Sequence, residues 1–149
     1  MKLTIAWIGK TKEPAIQALT DEYLKRLRRY ADAEGLSLKD EAALLALAGR
    51  DPKTHGKHAL VLLDSRGKQL SSEELASFIA DHQHCSPLPL LFAIGGADGF
   101  SEPARRTARF TLSLGKMTLA HELARVVLLE QLYRAFTILQ GHPYHLGHQ

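Results

Sequence analysis

A parallel α/β sheet with helices on both faces is the architecture this sequence predicts, and three observations predict it. Short, continuously apolar runs alternate with helical patterns along the whole chain. Those runs suit strands covered on both faces, as in a parallel sheet, rather than strands with one wet face. Most of them also stop at a cluster of glycine and small polar residues, the punctuation of a strand end.

The elements follow in order. Residues 3–8 form an apolar run closed by Gly9, a buried strand. Pro14 near a helix start, with Ile16, Leu19, Tyr23, Leu27 and Tyr30 at steps of three or four, gives the first amphipathic helix. After Gly35, residues 36–39 read as a second strand, and residues 42–48 as a brief helix ending in the turn signal Gly49-Arg50-Asp51-Pro52. Residues 59–63 are a third strand, stopping at Asp64-Ser65-Arg66-Gly67. Ser71 with Glu74 forms a capping box opening a helix to about His82. Residues 88–94 are a strand ending in Gly95-Gly96-Ala97-Asp98-Gly99, and Ser101 caps a short helix with Pro103 in its first turn. Residues 110–114 are the last strand. After the turn Gly115-Lys116-Met117-Thr118-Leu119, a long helix runs from Ala120 to about Leu139.

That helix is apolar on two sides. At 100° per residue, Leu119, Leu123, Val126 and Val127 share one face, and Leu128, Leu132, Ala135 and Leu139 lie roughly opposite. A surface helix needs one apolar stripe, so this one is expected between two partners, the sheet and a second copy of the chain. Glu130 falls at nearly the angle of Leu119 and Val126, so it is expected to be buried and paired with Arg134, one turn on.

Composition bounds the rest. With 149 residues, 45% hydrophobic and 23% charged, one domain with its own core is expected, and no repeat or linker interrupts it. A lone cysteine, Cys85, excludes an internal disulfide framework and suits a reducing cytoplasm. Neither a membrane span nor a signal peptide is expected. A net charge of +3 permits an RNA partner without requiring one.

In an open parallel sheet, ligands bind beyond the carboxyl ends of the strands, so the ends at 63–67, 94–99 and 114–118 are the places for chemistry. The first strand leads only to Gly9-Lys10-Thr11, which is no dinucleotide fingerprint, and there is no Walker pattern. A flavodoxin-like nucleotide binder is disfavoured for the same reason. His82, His84 and Cys85 lie at a helix end without a second ligand set, and His142, His145 and His148 recur in a tail, so no metal is expected. Ser65 and Ser113 lack a nucleophile elbow. Arginines 26, 28, 29, 105, 106 and 109 form two helical clusters suited to a solvated face or to phosphates.

Taken together these segments are more specific than apart. Residues 92–99 (FAIGGADG), residues 112–118 (LSLGKMT), His121, Arg125, the run 130–135 (EQLYRA) and Pro143-Tyr144-His145 strongly resemble the RlmH (YbeA) family. The resemblance covers nearly the whole chain. It implies a SPOUT-class fold with a C-terminal trefoil knot, an exception to the rule against threaded connections. It also implies a homodimer that uses S-adenosylmethionine to methylate N3 of a pseudouridine in 23S ribosomal RNA on the assembled ribosome. By matching positions, Leu63, Gly95, Leu114, Gly115, Lys116, Met117, Thr118 and Leu119 would line the cofactor pocket, with Leu63 and Met117 as apolar walls. His121, Arg125, Arg134, Tyr144 and His145 are the candidates for contacting the extruded base or its phosphates; which of them takes the proton is open.

Departures from the family pattern are Gly115 in place of a common serine, Ala120 in place of a common proline, a shortened 44–58 segment, and Leu146-Gly147-His148-Gln149 after the usual end. The first two are expected to loosen the cofactor turn. The competing reading is a non-catalytic RNA- or ribosome-binding module of the same fold.

Overall fold

The computed structural model describes residues 1–51, 54, 55 and 57–146. In chain order the elements are β1 (Lys2–Ile8), α1 (Pro14–Leu27), β2 (Asp32–Leu38), α2 (Glu41–Ala48), β3 (Arg50–Asp51), β4 (Thr54–His55), β5 (Ala59–Gln69), α3 (Ser72–Cys85), β6 (Leu90–Ile94), α4 (Glu102–Thr107), β7 (Phe110–Ser113) and α5 (His121–Leu139). Five strands form one parallel sheet in the order β2-β1-β6-β5-β7. The small antiparallel pair β3–β4 stands apart and was not expected from the sequence. Pro52, in the turn expected there, lies outside the described residues, as do Gly147, His148 and Gln149.

Successive side chains of a strand point to opposite faces, and here both faces are dry. Leu3, Ile5, Trp7, Val61, Leu90, Phe92 and Ile94 pack with residues of α1, α3 and α5. Ala6, Leu60, Leu62, Leu91 and Ala93 pack with Leu44 and Ala48 of α2 and Ala104 of α4. This is why the strands read as unbroken apolar runs.

Local rules set the helix starts. Asp40 caps α2 by accepting from the Ala43 amide at 2.8 Å, and Gly49 ends it at φ +71°. Ser71 and Glu74 close the capping box of α3 from both sides. Pro14 opens α1 where a missing amide costs nothing. That helix stops at Leu27, short of the expected Tyr30, because the chain must turn there to lay Asp32 beside Lys2; Tyr30 instead stacks on Phe136 at 6.0 Å.

Two strands differ from the sequence reading. β2 begins at Asp32 rather than residue 36, since Ala33 and Gly35 pair with Leu3 and Ile5 although neither is bulky. A Cβ on Gly35 would lie 2.8 Å from Leu24 and from Trp7. β5 does not stop at residue 63. Leu63 and Lys68 both pair with Leu112, so residues 64–67 bulge out of the ladder before pairing resumes. Gly67 makes that possible, because a Cβ there would meet the Thr111 carbonyl at 2.6 Å.

α5 packs between α1 and α3 over the sheet. Leu128, Leu129, Leu132 and Ala135 are fully buried, each leucine contributing about 1.5–3 kcal/mol. Leu139, expected on the same buried face, is 38% exposed at the helix end. On the other face Leu123 is 45% exposed, while Leu119, Val126 and Val127 are half-buried. Among the described residues that strip is covered only in part, least at Leu123.

Candidate active site

Three loops meet beyond the carboxyl ends of β5, β6 and β7 and enclose a cavity of about 370 Å³, within the size range of small-molecule sites. The 64–66 bulge forms one wall, residues 95–100 a second, and the 113–119 turn a third, with His121 and Ala124 of α5 beside it. Each loop is held by its own short-range bonds. Asp64 Oδ1 accepts from the Arg66 amide at 2.9 Å. The Gly99 amide donates to the Gly96 carbonyl at 3.0 Å, with Gly99 at φ +71°. Ser113 Oγ accepts from the Gly115 amide at 3.2 Å and donates to its carbonyl at 2.9 Å, with Gly115 at φ +139°. A Cβ on Gly95 would press on the Gly99 backbone at 3.2 Å, so that pair needs its missing side chain.

Of the residues expected at a cofactor pocket, Leu63, Gly95, Leu114, Gly115, Met117, Thr118 and Leu119 lie on the wall. Lys116 does not: it is exposed and outside the lining, because the turn directs consecutive side chains to different sides. Met117, expected as an apolar wall, is 86% exposed and edges the mouth of the cavity. Phe100, Arg105 and Ser113 also line it and lay outside all three strand ends named from the sequence, whereas Asp64 lay within the first of them. Arg105 sat in an arginine cluster that reads equally as a solvated face. Its signal was Glu102, one turn earlier on the helix that directly follows the glycine loop.

The five candidates for base or phosphate contacts are not brought together. His121 stands on the cavity wall. Arg125 does not reach the cavity, and the expectation that it is available to a substrate is corrected. It is 1% exposed, its guanidinium carbon lies 4.0 Å over the Trp7 ring, and Nη1 donates to Thr11 Oγ1 at 2.7 Å. Burial pulls its pKa below the usual arginine value, partly offset by Glu122. Arg125 shares a helix face with His121 but lies one turn further from the strand ends, where Trp7, Thr11 and Thr20 surround it.

Arg134, Tyr144 and His145 form a second group. Glu130, half-buried where full burial was expected, is paired as expected: it accepts from Arg134 Nε at 2.9 Å, and this bond holds the arginine pKa above its ordinary value. Arg134 Nη1 lies 3.0 Å from His145 Nδ1, and His145 Nε2 lies 2.8 Å from Glu73. Since arginine only donates, Nδ1 is the acceptor in this pair and Nε2 the nitrogen facing the carboxylate. The Arg134 guanidinium also sits 5.0 Å over the Tyr144 ring, which meets Tyr133 edge-on at 4.8 Å. Arg134 is thirteen residues beyond His121, about 20 Å along a helix axis. Within one protomer this tail group is therefore remote from the cavity.

Elsewhere, His82 and His84 each bond a backbone carbonyl, of Leu88 and Ala80. Among the described residues no group of three or more metal-ligating side chains gathers. No described helix is long and apolar enough to cross a membrane.

Comparison with known proteins agrees with this architecture. The ribosomal RNA large subunit methyltransferase H of Koribacter versatilis (strain Ellin345) is 59% identical over 148 residues, covering 99% of this chain and 100% of the relative. Among solved structures, the SpoU methyltransferase AviRb of Streptomyces viridochromogenes in complex with the cofactor AdoMet is 13% identical with a TM-score of 0.50, covering 89% of this chain and 57% of that one. A "probable methylase family protein" of Haemophilus influenzae Rd KW20 is 12% identical with a TM-score of 0.59, covering 95% and 69%. These two likenesses carry the fold, a parallel sheet flanked by helices. The family described as "Predicted SPOUT methyltransferase" matches residues 1–145, and with the full-length relative it shows that this chain belongs to the SPOUT methyltransferase family.

Proposed function

We propose that the chain is an S-adenosylmethionine-dependent methyltransferase of large-subunit ribosomal RNA, acting on N3 of a pseudouridine in 23S rRNA. The observation that carries this is the convergence of three strand-end loops on one glycine-walled cavity, in a chain so closely similar to a large subunit methyltransferase over its full length. The cavity fits the cofactor: it has the volume, open space beyond Gly96, Gly99 and Gly115, and an apolar side at Leu63, Leu114 and Leu119.

Backbone amides and carbonyls of 95–99 and 114–119 would hold the adenine and the methionine end, and Leu63, Leu114 and Leu119 would exclude water. When bound, the cofactor supplies an electrophilic methyl group on a sulfonium. The chain's own task is then positioning: presenting N3 in line with that methyl group, so that the N–C bond would form as the S–CH3 bond breaks to leave a neutral thioether, with the imide proton passing to water or a basic side chain. His121 on the wall is within the same cavity. Arg134, Tyr144 and His145 would contribute from the second protomer of a homodimer, since their own cavity is too far away. The only partly covered strip at Leu119, Leu123, Val126 and Val127 supports that dimer. The proposal extends to one methyltransferase unit over residues 1–149, a trefoil knot formed by the C-terminal segment, and a cytoplasmic site of action on the ribosome.

The test is transfer of a labelled methyl group to ribosomes from cells lacking the modification, mapped on 23S rRNA by mass spectrometry. Methylation at a single pseudouridine, abolished by Gly95→Trp, is the expected result. Cofactor and ribosome binding without transfer would overturn the enzyme reading in favour of a binding module.

A further inference from the structure

We propose that Arg105 is a positioning residue that sets the affinity of the cavity for S-adenosylmethionine by locking two of its three walls together. The inference rests on the cofactor reading above. The β5–β6 ladder ends at the pair Leu63–Ile94. Beyond it the two chains separate, one into the 64–67 bulge and the other into the glycine loop, and the sheet no longer spaces them. Arg105 does. Its Nη1 donates to the Phe100 carbonyl at 2.6 Å, at the far end of the glycine loop, and lies 3.5 Å from Asp64 Oδ2, at the start of the bulge. Both side chains are largely covered, Arg105 at 20% and Asp64 at 10% exposure.

The guanidinium is itself well anchored. α4 is fixed to the second helical layer by Ala104, which is fully buried, and by Glu41, which accepts from both the amide and the hydroxyl of Ser101. Glu102 takes the other edge of the fork, through Nε at 3.1 Å and Nη2 at 2.8 Å. The rigid, planar fork thus faces Phe100 and Asp64 with one nitrogen, a geometry that a lysine reproduces only in part.

The loop held this way needs holding. It carries Gly95, Gly96 and Gly99, and beyond the last two there is open space. Such a segment has many accessible conformations, and whatever fixes it before the ligand arrives strengthens binding. The far end of the loop depends on Arg105, so its loss falls on cofactor affinity more than on the sheet beneath.

Calorimetric titration of S-adenosylmethionine and S-adenosylhomocysteine into the full chain tests this; the second ligand has a neutral sulfur and so reports positioning without charge. Arg105→Gln is expected to raise Kd for both by about tenfold. In ribosome assays it should raise KM for the cofactor while leaving kcat at saturation nearly unchanged, and Arg105→Lys should recover part of the loss. Arg109→Gln removes the same charge from an exposed site outside the cavity lining and should leave Kd within about twofold. Equal cofactor affinity of Arg105→Gln and the unaltered chain would overturn the inference. If Arg105→Gln does not fold by circular dichroism, Asp64→Asn probes the same link from the other wall, and an unchanged Kd there overturns it equally. Failure of the unaltered chain to bind either ligand would instead overturn the cofactor reading, and this inference with it.

Discussion

At the scale of single residues, Gly67 occupies a place where no side chain fits. A Cβ would lie 2.6 Å from the Thr111 backbone, which cannot swing aside as a side chain can. Gly67→Ala is therefore expected to cost about 1–3 kcal/mol in denaturant unfolding and to disturb the wall at 64–66. Arg125 poses the opposite case, a buried cation whose Nε has no partner among the described residues. Truncation to alanine should cost about 2–4 kcal/mol through the cavity it leaves. Arg125→Met, which fills much of the volume and buries no charge, should cost far less; equal losses would show that the hydrogen bond to Thr11 dominates. Tyr144 carries a pH signal. Burial, reinforced by a hydrogen bond with Tyr23, pushes its phenol from 10.0 to about 12. A raised pKa favours the protonated form in the fold, so its contribution is complete below about pH 10 and lost as pH rises through about 12. Ultraviolet difference titration should show one late-ionising tyrosine, absent in Tyr144→Phe.

At the scale of elements, α5 decides most. One side of it closes the core, and the strip of Leu119, Leu123, Val126 and Val127 remains for another surface. If that surface is a second copy, Leu123→Asp should convert a dimer to a monomer in sedimentation velocity while leaving the circular dichroism spectrum intact, because Leu123 is 45% exposed within the chain. The two-sided character was legible from periodicity alone. What covers each side was not, because periodicity carries no information on neighbours; α1 and α3 turned out to flank the helix. β5 shows the complementary limit. Asp64-Ser65-Arg66-Gly67 has the composition of a turn, and the Arg66 amide bonds back to Asp64 Oδ1. Only the return of Lys68 and Gln69 to the β7 ladder makes it a bulge within a strand, and that pairing is between residues more than forty positions apart.

At the scale of the whole molecule, the cavity belongs to no single segment, and a ligand that fills it must stabilise the assembly of all three loops. S-adenosylmethionine at one hundred times its Kd should add about 2.7 kcal/mol, raising Tm by about 5–11 °C for a chain of this size; an unchanged Tm would speak against the site. By itself the sequence determined the order of the sheet strands and the helices, the dry faces of the sheet, the capped helix starts, and the strand-end loops that line the cavity. These follow from local preferences and from the period of apolar residues, which each segment carries within itself. The tertiary structure alone decided that Arg125 is sealed against Trp7, that Arg134, Tyr144 and His145 gather with Glu73 and Glu130 rather than on the cavity wall, and that Arg105 ties two walls together. Those facts depend on which distant segments become neighbours, and on side chains of one type meeting very different surroundings: an arginine reads the same in the chain whether it ends in water, under a helix, or between two loops.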